Sequence, residues 1–161
     1  MKYLFLAGSS FLAIMAQMVM GNNFFLLSFV DLSLILIAYW ALYRSRTQAL
    51  FVGSLTGILQ DALLGWPLGY NGFGKTLAAF VIAEASRRFN IEGMWIRFLL
   101  VAASGCLSSL SIFMLFLLLQ RSTSSVFLGA SLMQALITAG VSALLFAALD
   151  AHKQLYTKKI G

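Results

Sequence analysis

Long apolar stretches alternate with short polar or basic linkers along the chain. Segments such as LFLAGSSFLAIMAQMVM and SIFMLFLLL contain no charged residue. An apolar run of about 18 or more residues is long enough to cross the roughly 30 Å hydrocarbon core of a bilayer as an α-helix. The pattern therefore predicts six membrane-spanning helices, at about residues 3–20, 24–43, 49–65, 70–86, 95–119 and 126–149. We expect an all-α, polytopic membrane helix bundle that forms a single domain over residues 1–161.

Composition and charge agree with this class and indicate an orientation. Hydrophobic residues make up 61% of the chain and charged residues only 10%, against about 25% charged in soluble domains. With both termini in the cytoplasm, nine of the 11 Lys and Arg residues lie on the inner side and only Lys75 and Arg121 lie outside. The positive-inside rule favours this arrangement, whereas omitting the fourth crossing would place four inside and seven outside.

The basic residues are distributed between apolar spans rather than clustered with exposed aromatic residues on one face, so nucleic acid is not a predicted partner. The first span follows Lys2 and resembles a signal peptide in length. No clear Ala-x-Ala cleavage site separates it from the second span, so we expect it to be retained.

The segment GYNGFGKT, residues 69–76, matches the phosphate-loop pattern G-x-x-x-x-G-K-[ST]. A phosphate loop requires a preceding buried strand and a helix that opens behind it, so that backbone N–H groups surround the phosphates. Here the preceding segment is a predicted membrane helix, and the predicted orientation places the loop at the outer face, away from cytoplasmic nucleotide. We therefore predict no nucleotide binding.

Small residues recur at every fourth position in two of the predicted helices. Two sets share a helix face: Gly53, Gly57, Asp61 and Gly65 in the third span, and Ala135, Ala139 and Ala143 in the sixth. Small residues allow the backbones of membrane helices to approach closely, and GSLTG is a GxxxG motif of this kind. These seams either hold the bundle together or receive the helix of a partner protein.

Two carboxylates fall at membrane depth, where a charge costs at least about 2.5 kcal/mol and normally faces a cavity or a partner. From a rise of about 1.5 Å per residue, Asp31 and Asp61 are expected at similar heights in the outer half. Lys75 is the nearest cation in that layer. One hypothesis is a buried cluster of Asp31, Asp61 and Lys75, with Asn71 and Gln60 as hydrogen-bond partners. Alternatively, hydroxyls such as those of Thr56 or Ser33 satisfy each acid separately, or one acid is protonated.

The segment between Asp61 and Lys75, DALLGWPLGYNGFGK, contains the only proline and four glycines. Pro67 has no N–H and disfavours helical geometry at Trp66, while Gly65 can supply the left-handed conformation that ends a helix. We therefore predict that the third helix stops here and that a short, partly non-helical turn, including Leu68 and Gly69, folds back at the outer face.

No catalytic constellation or metal-ligand spacing is visible, so we predict neither an enzyme nor a bound metal or other cofactor. The single histidine, His152, lies at the end of the last span, which leaves no serine triad. Two acids at similar height are compatible with an intramembrane aspartyl protease, but no further motif supports that activity.

The chain resembles the MreD family of rod shape-determining membrane proteins over nearly its whole length. The most specific part is G-x-x-x-G-x-x-x-D followed by P-L-G, at Gly53, Gly57, Asp61, Pro67, Leu68 and Gly69. Asp31 matches an acidic or amide position at the start of the family's second span, where a proline usually precedes it and this chain has Val30.

The resemblance implies a non-enzymatic component of the bacterial cell-elongation machinery in the inner membrane. Implied partners are MreC, the glycosyltransferase RodA and a penicillin-binding transpeptidase. We predict that the small-residue seams receive the single membrane helix of MreC, and that the turn from Asp61 to Gly69 shapes an outer-half cavity that supports this contact. MreB is a further candidate, contacted through the basic inner loops, although membrane lipid and orientation suffice to explain those charges.

The MreD fold is similar to the S components of energy-coupling-factor vitamin transporters, which gives an alternative function. An S component would dock through an Ala-x-x-x-Ala seam in its first span. At that spacing this chain has Ser9 and Ala13, with Gln17 at the next position. Its outer loops are also too short for an obvious lid, so the sequence favours the scaffold.

Overall fold

Six α-helices form the computed structural model of this chain, which describes residues 2–23, 29–89, 91, 93–119 and 126–158. The helices are α1 (Lys2–Asn23), α2 (Leu32–Tyr43), α3 (Arg46–Leu64), α4 (Tyr70–Arg88), α5 (Met94–Leu118) and α6 (Val126–Lys158). These residues contain no β-strand, so the predicted all-α class is confirmed for this part of the chain. Phe24, where the second span was predicted to begin, and Arg121, the second basic residue assigned to the outer side, lie outside the described residues.

Two of the described helices are long and apolar enough, by length and composition, to cross a membrane: Met94–Leu118 and Gly129–His152. The number of helices agrees with the six predicted spans, but the other four do not meet this criterion. Helix α2 has only 12 residues, about 18 Å of helix against a core of about 30 Å. Helix α4 carries Lys75, Glu84, Arg87 and Arg88.

Helix α2 begins eight residues later than the second span was predicted to begin. Asp31 is its N-cap, with extended backbone (φ −88°, ψ 91°), and its carboxylate accepts a hydrogen bond from the Leu34 amide. An acceptor at this position satisfies an N–H group that has no partner within the helix. Asp31 therefore lies at the start of a helix rather than inside the predicted span 24–43, a difference that apolar content alone does not reveal.

Helix α6 continues to Lys158, nine residues past the predicted end of the sixth span. The added segment, DAHKQLYTK, contains no glycine or proline to end the helix. Hydropathy predicts where a helix leaves the apolar layer of the membrane. Here the helix continues beyond that point. The bounds of the other four helices lie within three residues of the prediction.

The helices pack so that α2 lies at the centre of the bundle. Helix α2 contacts each of the other five helices, while α1 contacts only α2 and α3 among the described residues. The central packing uses residues such as Ile37, Val52, Ile82 and Val101, all fully buried. Large apolar side chains also cover the outer surface, including Trp95, which is 79% exposed. An apolar exterior of this extent is typical of a membrane-facing surface.

Candidate functional site

The turn between α3 and α4 has the conformation that its glycines predicted. Helix α3 ends at Leu64, and Gly65 follows in the left-handed region (φ 66°, ψ 23°). Gly69 is the N-cap of α4 and has φ 103°, a backbone conformation that residues with a Cβ rarely adopt. Pro67 accepts a hydrogen bond at its carbonyl from the Tyr70 amide. The segment 65–69 is therefore a compact reversal between two helices.

Asp61 connects the end of α3 to the start of α4. Its backbone carbonyl accepts a hydrogen bond from the Trp66 amide (2.9 Å). Its carboxylate accepts from the backbone amides of Gly69 (2.9 Å), Asn71 (3.1 Å) and Gly72 (3.3 Å), and from the Asn71 side chain (2.8 Å). The first amides of a helix lack intrahelical acceptors and carry partial positive charge. Because Gly69 has no side chain to cap α4, Asp61 of the preceding helix does so.

Lys75 forms a second, separate centre with Asp31. Only 2% of Lys75 is exposed, and its ammonium group lies 3.1 Å from the Asp31 carboxylate. It also donates hydrogen bonds to Ser33 and Gln60. An ammonium group has three hydrogens, so these three acceptors saturate it. The Asp31 amide in turn donates to Thr138 on α6 (2.9 Å), which links α2, α3, α4 and α6.

The predicted cluster of Asp31, Asp61 and Lys75 is thus divided into two centres. Lys75 pairs with Asp31 and Gln60, whereas Asp61 binds Asn71 and backbone amides, and the described residues show no ion pair between Asp61 and Lys75. Of the alternative partners, Ser33 does donate to Asp31. Thr56 instead donates to the carbonyl of Val52 in its own helix (2.7 Å).

Both small-residue seams are occupied by helices of this chain. A Cβ added at Gly57 would lie 2.4 Å from the Cα of Gly72, and one at Gly53 would lie 2.8 Å from the carbonyl oxygen of Lys75. The GxxxG motif therefore allows α3 and α4 to approach backbone to backbone. On α6, Ala135 faces Gly105 of α5, and all three seam alanines, Ala135, Ala139 and Ala143, are buried.

A cavity of about 250 Å³ lies beside the Lys75–Asp31 pair, bordered by α2 to α6. Nine of its 15 lining residues have polar side chains, a large share in a chain that is 61% hydrophobic. The polar lining residues are Asp31, Gln60, Asn71, Lys75, Ser108, Ser109, Ser131, Gln134 and Thr138. Two of the three predicted charges, Asp31 and Lys75, and both predicted amides, Gln60 and Asn71, therefore line one cavity together with hydroxyl groups of α5 and α6.

A third polar network, at the other end of the bundle, was missed by the sequence analysis. Arg97 on α5 forms an ion pair with Asp150 on α6 and donates to the hydroxyl of Tyr43 on α2 (3.2 Å). Tyr43 also donates to Asp150 (3.1 Å). The predicted last span ended at residue 149, which left Asp150 out of the bundle. The sequence did contain one sign of this network, because Arg97 lies near the start of the predicted fifth span and Asp150 directly follows the predicted sixth.

None of the described residues forms a group of three or more His, Cys, Asp or Glu side chains that could hold a metal ion. The sequence model of the rod shape-determining protein MreD family matches residues 1–152. The chain belongs to the MreD family. The residues matched by the MreD model include Asp31, Asp61, the turn between α3 and α4, and most of α6. MreD proteins are shape-determining membrane proteins and are not a known enzyme family. No curated protein and no solved structure matches the chain.

Proposed function

We propose that this chain is a non-enzymatic scaffold of the bacterial cell-elongation complex. In this role it crosses the cytoplasmic (inner) membrane six times, with both termini in the cytoplasm. It binds MreC directly and supports RodA and a penicillin-binding transpeptidase in lateral peptidoglycan synthesis and cell-shape maintenance. The observation that carries the proposal is the MreD family match over residues 1–152. The distribution of basic residues along the sequence supports the orientation.

The contact with MreC requires a surface other than the small-residue seams. Because α4 fills the groove at Gly53 and Gly57, a partner helix could enter there only by separating two helices of this chain. Apolar side chains remain exposed on three other helices, for example Leu12 on α1, Leu99 on α5 and Leu136 on α6. We propose that the membrane helix of MreC packs on one of these faces.

Photocrosslinking in cells tests this contact. A photoreactive amino acid replaces Leu12, Leu99 or Leu136 in turn, with the buried Ala139 as the control position. We expect a crosslinked product with MreC from one exposed face and none from the control. Absence of MreC crosslinks from all three faces, together with no co-purification of MreC, would overturn direct binding. Depletion of the chain should also convert rod-shaped cells into round cells.

The alternative function is that of a substrate-binding S component of an energy-coupling-factor vitamin transporter. The observation that favours it is the polar cavity between five helices. Neighbouring genes for MreB and MreC distinguish shape determination from transport, for which genes encoding an ATPase and a coupling protein are expected. Loss of saturable vitamin uptake on deletion would favour the transporter.

A further inference from the structure

The cavity beside Lys75 offers hydrogen-bonding groups that the protein itself does not use. Within the described residues, the side chains of Ser108, Ser131 and Gln134 have no hydrogen-bond partner, yet all three line the cavity. Ser108 and Ser131 are only 7% and 9% exposed. A polar group without a hydrogen-bond partner is unfavourable. These three groups are therefore available to water or to a polar ligand that enters the cavity.

The charges of the cavity are already compensated. All three hydrogens of the Lys75 ammonium group have acceptors, and Asp31 is bound by Lys75, Ser33 and the Leu34 amide. A charged ligand would lose its hydration without meeting a free opposite charge. The occupant that fits this lining is therefore an uncharged group.

The volume of the cavity and the chemistry of its lining further limit the kind of ligand that fits. A volume of about 250 Å³ corresponds to about eight water molecules in the liquid and is slightly smaller than the usual range of ligand pockets. Hydroxyl and amide side chains both donate and accept hydrogen bonds, as each hydroxyl of a sugar does. Trp66 and Leu64 add apolar surface to the same wall, as is usual in pockets where a few polar groups fix orientation.

The cavity is also accessible from the surface of the bundle. Leu64 is 49% exposed, and the lining residues Gln60, Trp66, Ser109 and Gln134 are half-buried. All of these residues lie towards the end of the bundle that carries the turn between α3 and α4, which is the predicted outer end.

We propose that this cavity binds one uncharged, polyhydroxylated ring of hexose size, either as a free sugar or as the headgroup of a glycolipid. Ser131 and Gln134 on α6 and Ser108 on α5 bind its hydroxyls. The Lys75–Asp31 pair positions α2 and α4 around it without contributing net charge. This site is independent of the surface that MreC would contact, so either proposal can fail without the other.

The test uses the full chain in nanodiscs that are free of glucoside and maltoside detergents. The probes are methyl glucoside added to the solution and monoglucosyl diacylglycerol incorporated in the bilayer, with phosphatidylglycerol alone as the reference. A ligand that binds the folded state raises the midpoint of thermal unfolding in a saturable manner. Stabilisation by methyl glucoside supports a free sugar, and stabilisation by the glycolipid alone supports a headgroup.

Variants connect the binding to the cavity. Gln134→Leu and Ser131→Ala each remove hydrogen-bonding groups and should raise the apparent Kd about three- to tenfold. Gln48→Leu, near the start of α3 and outside the cavity lining, is the matched control and should bind as the parent chain does. If Gln134→Leu fails to fold, Ser108→Ala takes its place. The proposal is overturned if neither probe stabilises the parent chain, which would leave a cavity filled by water, or if the cavity variants bind as tightly as the control.

Discussion

The carboxylate of Asp61, in the last turn of α3, accepts a 2.9 Å hydrogen bond from the backbone amide of Gly69, the N-cap of α4. The amides of Asn71 and Gly72 also donate to it, and the Tyr70 amide donates to the Pro67 carbonyl. The amides at the start of α4 therefore all have acceptors. One acid of the family motif thus fixes the position of α4, and with it the position of Lys75.

This relationship predicts the effect of removing the Asp61 carboxylate. Asp61→Ala leaves three backbone amides, two of them buried, without their acceptor and should lower the free energy of unfolding by about 2 kcal/mol. Asp61→Asn retains one acceptor oxygen and should be less destabilising. Chemical unfolding of the purified chain in detergent micelles measures both. Equal stability of the alanine variant and the parent chain would show that the capping contacts do not stabilise the fold.

The sequence did not reveal which partners each acid at this site binds. A rise of about 1.5 Å per residue gives an expected height for a residue inside a helix, but Asp31 precedes its helix. The rise also does not give the side of the helix on which a carboxylate finds a partner. The donors to Asp61 are mainly backbone amides, which have no signature in the amino-acid sequence. The helix stop at Gly65 was predictable because a left-handed residue strongly favours glycine.

The network of Arg97, Asp150 and Tyr43 was not predicted for a related reason. Arg97 and Asp150 are 53 residues apart, and only the packing of α5 on α6 brings them together. Arg97 was used as a topology signal, although the structure buries most of its side chain. Hydropathy also ended the last span one residue before Asp150. Pairs of this kind depend on how each helix is rotated about its own axis. The periodicity of apolar residues predicts that rotation only approximately.

The Lys75–Asp31 ion pair predicts a coupled response to substitution. Lys75→Met leaves Asp31 without its cation and should cost about 3 kcal/mol, since breaking a buried pair by removing one partner is strongly destabilising. The double variant Asp31→Asn, Lys75→Met removes both charges and should be more stable than the sum of the single variants predicts. A double-mutant cycle from unfolding curves measures the coupling. Additive effects would mean that the two residues do not stabilise each other.

Two glycines with opposite surroundings predict opposite outcomes for the same substitution. Gly57→Ala would place a Cβ 2.4 Å from the Cα of Gly72, so α3 and α4 must separate, and we expect a loss of about 1–3 kcal/mol. Gly140→Ala on α6 meets no atom within 4 Å and should be neutral or stabilising by up to about 1 kcal/mol, because alanine is the better helix former. Thermal unfolding midpoints, measured side by side, distinguish them. Similar midpoints for both variants would contradict the close packing at Gly57.

The proposed six-span orientation predicts which ends of the helices are accessible from outside the cell. In a Cys106→Ser background, Leu68→Cys lies in the turn between α3 and α4, where Leu68 is 70% exposed. Thr47→Cys lies at the exposed opposite end of α3. An impermeant maleimide should label the first in cells with a permeabilised outer membrane, and the second only after the inner membrane is opened. Because α3 is a single helix, its two ends serve as each other's control. Labelling of Thr47→Cys before the inner membrane is opened would contradict the orientation and would place the α3–α4 turn on the cytoplasmic side. Labelling of both positions at the same step would also contradict it.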